Sequence, residues 1–435
     1  MSKSIPFLSA GAALFAAALA IPAAAGPVGL PGNAQTTTAT LSPLQTKLAA
    51  GNEAINRKDL DAAQVAFSEA AKLDAKAPGP LLGLAEVARL RHNKAETEKW
   101  LQRAVEVAPE SADVQQAWGR YQFTQRNFTL AESALKKAAA LAPDLASIQF
   151  DLGDLYLNWL HRPKEAAAAY REAIRLQPDQ GSAHLGLAMA LASLGKTSEA
   201  AQEFERSATL FPGNPLPLTA LGRLYASTGD LDRARAAFDR ALAARADFEP
   251  ALVDRGDVFM LRKDPERAAA DYEKAVKLAP KNAMTQYKLG AAYQMLGKLD
   301  AAEKQYRAAI GLDEKLAAAY NNLASLSAER KHNLDAALDW ANRAVALQPD
   351  MAAFQDTLGS VRLARGEVDP AIAAFRKAAA STPKDANFYY GLGQALAQKG
   401  NKREAVEAFR TALSVNPGFA HSAEARKRIE ELGSN

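Results

Sequence analysis

The chain has 435 residues, 48% of them hydrophobic, with a formal charge of +4 and no cysteine. That length is too great for one compact core and suits an array whose parts touch only their neighbours. Without cysteine there is no disulfide, thiolate metal site or cysteine nucleophile. Lys/Arg and Asp/Glu are interspersed, with no basic run carrying aromatics, which argues against nucleic acid as a partner.

Met1–Ala25 reads as a secretory leader. Lys3 supplies the positive start, Phe7–Ile21 the apolar stretch, and Ala23-Ala24-Ala25 the small-x-small cleavage pattern. Cleavage would leave Gly26 first and, by losing Lys3, take the formal charge from +4 to +3. The alternative is a retained anchor, but the apolar stretch falls short of the roughly 20 residues a spanning helix needs. No stable membrane span is therefore expected after cleavage. No cysteine follows the cleavage site, so lipid attachment there is excluded. The short basic start and alanine-rich stretch have a bacterial look, and the expected destination is the periplasm or the exterior. Residues 26–43 follow as a flexible linker, with Pro27, Gly29, Pro31, Gly32 and three threonines at 36–38.

From residue 44 the sequence repeats with a period of about 34 residues. Ala283–Leu316 shows the unit: two short amphipathic helices joined by a turn near Gly297. Leu289, Gly290 and Tyr293 share one face of the first helix, and Ala302, Tyr306 and Ala309 share one face of the second. Gly290 and Ala309 are small enough for helix axes to approach closely. The small residue of the first helix recurs at Gly51, Ala85, Gly119, Gly153, Ala188, Gly222, Gly256, Gly290, Ala324, Gly359 and Gly393. The second helix carries an aromatic or leucine at Phe67, Leu101, Leu135, Tyr170, Phe204, Phe238, Tyr272, Tyr306, Phe375 and Phe409, replaced by Ala341 in the ninth unit. A small residue follows three positions later, as at Ala70, Ala173, Ser207 and Ala412. Prolines such as Pro109, Pro143 and Pro383 stop the second helix. The aspartates after some of them, Asp144, Asp179 and Asp350, are expected to cap the helix that follows. A last amphipathic helix, Ala420–Leu432, is expected to cap the array, with Ala425 and Ile429 inward and Arg426, Lys427, Arg428, Glu430 and Glu431 in water.

These residues resemble the tetratricopeptide repeat family over eleven consecutive units, residues 44–419. The resemblance implies an all-α fold, a right-handed superhelical α-solenoid of helix-turn-helix repeats closed by a C-terminal capping helix at 420–435.

Chemistry-bearing residues are sparse. His92, His161, His184, His332 and His421 lie far apart, without the i, i+4 pair of a zinc helix. Asp151/Asp154 and Asp254/Asp257 pair carboxylates on first helices, but two side chains on a straight helix fall short of a Ca²⁺ shell. There is no G-x-S-x-G, Walker loop or dinucleotide fingerprint, and no length is left for a catalytic domain. No cofactor, metal or enzymatic activity is expected.

The resemblance implies that first helices line a concave groove. Its slots are Arg120, Phe150, Asp151, Asp154, Arg223, Val253, Asp254, Asp257, Tyr287, Gln294, Asn321, Asn322, Tyr390 and Gln394. Some family members hold a peptide's terminal carboxylate with paired Lys and Asn. Here Asn321 and Asn322 face Asp356 and Thr357 in the next unit rather than a lysine. The mixed acidic and aromatic surface suits an extended or helical peptide with apolar anchors and some basic groups. The expected function is an exported, non-enzymatic protein–protein interaction scaffold. Similar signal-bearing bacterial repeat proteins imply exopolysaccharide synthesis and export, or secretion assembly, as its setting. The alternative is a periplasmic chaperone or carrier for an unfolded client such as an apo-cytochrome or export substrate.

Overall fold

The computed structural model describes residues 41–433, and every regular element among them is an α-helix. The leader, its cleavage pattern and all but the end of the linker lie outside the described residues. The chain divides into two compact units between Leu224 and Tyr225.

The first unit contains α1 (Pro43–Asn56), α2 (Leu60–Leu73), α3 (Pro78–Leu90), α4 (Lys94–Val107), α5 (Ala112–Thr124) and α6 (Phe128–Leu141). It continues with α7 (Ala146–Asn158), α8 (Pro163–Leu176), α9 (Gly181–Ser193) and α10 (Thr197–Leu210). The division falls inside α11 (Leu216–Ser227). The second unit holds α12 (Leu231–Ala244), α13 (Glu249–Leu261), α14 (Pro265–Leu278), α15 (Ala283–Met295), α16 (Leu299–Leu312) and α17 (Ala317–Arg330). It ends with α18 (Leu334–Leu347), α19 (Ala352–Ala364), α20 (Val368–Ser381), α21 (Ala386–Lys399), α22 (Lys402–Val415) and α23 (Ser422–Gly433). Within each unit successive helices pack on one another, and several first helices also touch the next, as α1 with α3, α7 with α9 and α17 with α19. Each unit is thus an α-solenoid of helical hairpins.

Local chemistry sets where helices start and stop. Ser42 and Gln45 form a reciprocal capping box, so α1 begins at Pro43, one residue inside the segment expected to be linker. Ser111, Asn282 and Asp385 cap α5, α15 and α21 through their side chains. Asp144, Asp179 and Asp350 do not. The cap positions there are Leu145, Gln180 and Met351, which make no side-chain cap bond. The chain needs one more residue after each Pro-Asp to turn into the helix, and this leaves the aspartate outside hydrogen-bonding reach.

Between the two helices of a hairpin the chain reverses through a left-handed residue, and through two, Lys331 and Asn333, between α17 and α18. Gly297 has φ +70°, whereas Lys58 adopts φ 61° and Arg126 φ 64° at the matching turn. His92 and His161 sit at such turns, also left-handed. The turn geometry is dictated by the hairpin, and non-glycine residues there accept a cost of about 1–2 kcal/mol.

The core is built from the second-helix ring and the first-helix glycine. Phe67, Tyr170, Tyr272, Tyr306, Phe375 and Phe409 are among the most deeply buried side chains. A Cβ on Gly51 would lie 2.6 Å from the Phe67 ring, and one on Gly83 of the next hairpin 2.5 Å from the same ring. Tyr170 is flanked likewise by Gly153 and Gly186, and Phe375 by Gly359 and Gly391. Where the first-helix residue is alanine, the second-helix partner is often smaller, as in Ala85 with Leu101 and Ala324 with Ala341. The small residue that follows is fully buried at Ala70, Ala104, Ala138 and Ala173. At Ser207, also 0% exposed, the hydroxyl donates to the Gly181 carbonyl oxygen at 2.8 Å, so the one polar member of the set is satisfied. Ala425 of α23 is buried and Ile429 packs beside it on the terminal cluster containing Phe409 and Phe419.

Volume matching between glycine and ring leads to a direct test. Gly359→Ala is expected to destabilise by about 1–3 kcal/mol, because the new methyl meets the Phe375 ring at 2.9 Å. In a Phe375→Leu background the same substitution is expected to cost under about 1 kcal/mol. Urea denaturation of the four chains of this cycle measures the coupling, and additive effects would refute the matching.

Candidate functional site

The first-helix slots divide into two sets. In the first unit most are occupied by bonds to neighbouring helices. Arg120 of α5 donates from Nε to Asp151 Oδ2 of α7 at 2.6 Å, and Gln116 Nε2 reaches the same oxygen at 2.6 Å. Asp154 accepts from the Tyr170 hydroxyl at 2.5 Å, and Phe150 meets the Tyr170 ring edge-on at a centroid distance of 5.7 Å. Burial raises both carboxyls, Asp154 to about 6 against an ordinary 3.8, with the Asp151 charge adding to the rise and the Tyr170 hydrogen bond opposing it. Arg223 and Asp254 are likewise engaged with other residues.

The second unit repeats this arrangement at its start. Asp257 of α13 accepts from the Tyr272 hydroxyl at 2.6 Å and from Lys288 Nζ of α15 at 2.5 Å. Val253 packs on the cluster around Tyr272. A tyrosine in the ring position carries a hydroxyl into a buried site, and that hydroxyl requires a polar partner on a first helix. For Tyr306 the partners are Gln294 Oε1, which accepts at 2.7 Å, and Asn322 Nδ2, which donates to it at 3.3 Å. Asn322 also donates to the Tyr287 hydroxyl at 3.4 Å, and the two tyrosine rings lie 5.9 Å apart.

Further along, the side chains stand back and a trough of about 1510 Å³ opens on the second unit. Its walls come from the ends of α15, α17, α19 and α21 and from α23. Small residues floor it: Ser325 and Ala328 on α17, Ser360 and Ala364 on α19, and Ala397 on α21. Lys263, Lys331, Arg365 and Arg428 give it positive charge, with Glu329 and Glu424 interspersed. An adjoining pocket of about 430 Å³ shares Gln294, Ser325, Ser360, Gln394, His421 and Glu424 with the trough.

Of the slots expected from sequence, Gln294, Asn321, Asn322, Tyr390 and Gln394 come together here. Arg120, Phe150, Asp151, Asp154, Asp257 and Tyr287 do not line either cavity. Tyr390 is buried, with its ring stacked on His421 at 4.6 Å and its hydroxyl accepting from Gln394 Nε2 at 2.9 Å. Burial, then the Glu424 carboxylate beside it, holds that hydroxyl above the usual tyrosine range.

The cap contributes more than closure. Arg428, expected on a wetted outer face, lines the trough together with His421 and Glu424. The available signal was the small residues one and four positions after the packing glycine or alanine, Ser325, Ala328, Ser360 and Ala397, which mark where a wall is missing. Among the described residues no group of three or more His, Cys, Asp or Glu side chains could hold a metal ion. None of the described helices is long and apolar enough to cross a membrane.

Comparison with known proteins agrees with this architecture. The family model described as tetratricopeptide repeat matches residues 160–215, 219–283 and 357–422, and a second model of the same description matches 271–304. Over these residues the chain is built of tetratricopeptide repeats. It is 27% identical over 152 residues to anaphase-promoting complex subunit 3 of Schizosaccharomyces pombe, 35% of this chain and 23% of that one. Human protein O-mannosyl-transferase TMTC1 is 30% identical over 194 residues, 43% of this chain and 22% of that protein. A TPR repeat-containing protein of Treponema pallidum is 26% identical over 248 residues, 49% of this chain and 30% of its own length. The matched stretches thus span less than a third of these relatives. Among solved structures, the APC/C hetero-tetramer Cut9-Hcn1 aligns with a TM-score of 0.48 at 15% identity, covering 89% of this chain and 96% of that one. A tetratricopeptide repeat protein from Parabacteroides merdae aligns with a TM-score of 0.45 at 21% identity, covering 59% and 99%.

The buried aspartate of the first unit gives a pH prediction. Asp154 binds its proton more tightly in the fold, at about 6, than its ordinary 3.8. The stability this proton contributes is full below about pH 3.8 and is lost as pH rises through about 6. Asp154→Asn keeps an acceptor for Tyr170 and removes the charge. The variant is expected to be more stable than the wild type at pH 7.5 by on the order of 1–2 kcal/mol and equal to it near pH 4. Thermal melts at the two pH values check this, and a variant destabilised at pH 7.5 would contradict it.

Proposed function

We propose that this chain is a non-enzymatic interaction scaffold that binds an extended segment of a partner protein in the trough of residues 225–433. The observation that carries the reading is the continuous trough of about 1510 Å³ over four first helices and the cap. Small side chains on the floor leave room for a backbone, and alternating acids and bases on the walls meet its side chains.

The setting we propose is the periplasm or the exterior of a bacterium. Support comes from Lys3, the apolar Phe7–Ile21 stretch and Ala23-Ala24-Ala25. Exopolysaccharide synthesis and export, or a secretion assembly, is the pathway favoured by resemblance to other signal-bearing bacterial repeat proteins.

Two experiments test these statements. A photocrosslinker at Gln398, an exposed trough residue, is expected to capture a partner from the envelope fraction. Adding Ser360→Trp, which fills the floor, is expected to reduce capture at least about tenfold without lowering the melting temperature. Undiminished capture would remove the trough from the reading. Separately, amino-terminal sequencing of the envelope-fraction protein is expected to begin at Gly26, and a chain retaining Met1 would overturn the cleaved-leader proposal.

A further inference from the structure

The two cavities differ in their cations. Lys263, Lys331, Arg365 and Arg428 all line the trough, whereas no lysine or arginine lines the adjoining pocket of about 430 Å³. Its lining carries the carboxylates of Asp356, Asp385 and Glu424, the last shared with the trough, together with His421. Asp385 uses Oδ1 to accept from the backbone and side-chain nitrogens of Asn387, both at 2.9 Å, which fixes its carboxylate at the start of α21.

A second observation, independent of the acids, comes from Asn321. This side chain lines the same pocket, is only 5% exposed, and leaves its Oδ1 without any hydrogen-bond partner. Its Nδ2 donates to Asn322 Oδ1 at 3.4 Å. A buried carbonyl oxygen without a donor costs about 1–3 kcal/mol, and a ligand bringing N–H groups would recover it.

We propose that the inner pocket takes an arginine side chain of the bound partner segment. This deepens the scaffold reading and rests on it. Several acceptors on different helices ask for a ligand with several donors, and a guanidinium offers five N–H groups in one plane. The volume lies at the lower end of ordinary ligand sites, enough for one side chain rather than a longer stretch. The trough sets Lys263, Lys331, Arg365 and Arg428 beside Glu329 and Glu424, and the pocket has carboxylates without lysine or arginine, so the partner's arginine is directed inward and its register along the trough is set.

The probe is a set of eight-residue peptide pools with randomised flanks and one fixed central residue: arginine, lysine, or citrulline, which has the same shape without the charge. Binding to the purified full-length chain is read by fluorescence anisotropy. The arginine pool is expected to bind at least tenfold more tightly than the citrulline and lysine pools. Asp356→Asn with Glu424→Gln is expected to erase that preference while leaving citrulline binding unchanged, with circular dichroism melts confirming the fold. Peptide binding in which arginine and citrulline are equal overturns the pocket assignment and leaves the trough reading standing. A lysine pool equal to arginine overturns the guanidinium assignment. Binding of none of the pools overturns the trough reading together with it.

Discussion

A flat ring pressed onto a residue with no side chain is the contact on which the rest of this molecule depends. Phe67, Tyr170 and Phe375 each lie between glycines of two successive first helices. Such a ring joins a hairpin to its own first helix and to the next hairpin at once. At these three rings a methyl in place of either glycine would stand within 3 Å of the ring. The period of the sequence follows from this geometry, because each hairpin must return a ring to the same height. Dispersion and apolar burial supply the energy, and they do so one interface at a time, as in any array of like units.

This constraint explains what was legible in the sequence. Rings, glycines, buried alanines and helix-stopping prolines are all backbone-scale requirements, and each permits few residue types. The all-helical solenoid could be read from them. The finer rules were less visible. Asp144, Asp179 and Asp350 carry a good capping side chain one position too early, and a residue type cannot reveal an offset of one. Lys58 and Arg126 adopt the left-handed turn without being glycine, so the turn is set by the packing of the hairpin more than by its own residues.

The site was legible only in part, for a physical reason. A residue on the inner stripe of a first helix faces either open space or the neighbouring first helix, and its identity does not say which. Arg120 and Asp151 meet across one such boundary, and Asp257 and Lys288 across another. Where the ring is tyrosine the stripe must also answer a buried hydroxyl, as Asp154, Asp257 and Gln294 do. Charged and aromatic slots therefore attract notice in the sequence while serving the fold. The cavity arises where side chains are short, at Ser325, Ala328, Ser360 and Ala397. A reading that looks for chemically rich residues passes over them.

The cap serves both the fold and the cavities. An end helix in a solenoid covers apolar surface, and Ala425 and Ile429 do so against Phe409 and Phe419. The helix also carries Glu424 and Arg428 on the face turned toward the cavities, with His421 just ahead of it stacked on Tyr390. These groups give the last first-helix groove a wall from outside the repeats. A terminal helix is free of the repeat's packing rule on its outer side. Its residues can therefore be chosen for charge rather than for fit, and lysines and arginines line the trough but not the adjoining pocket.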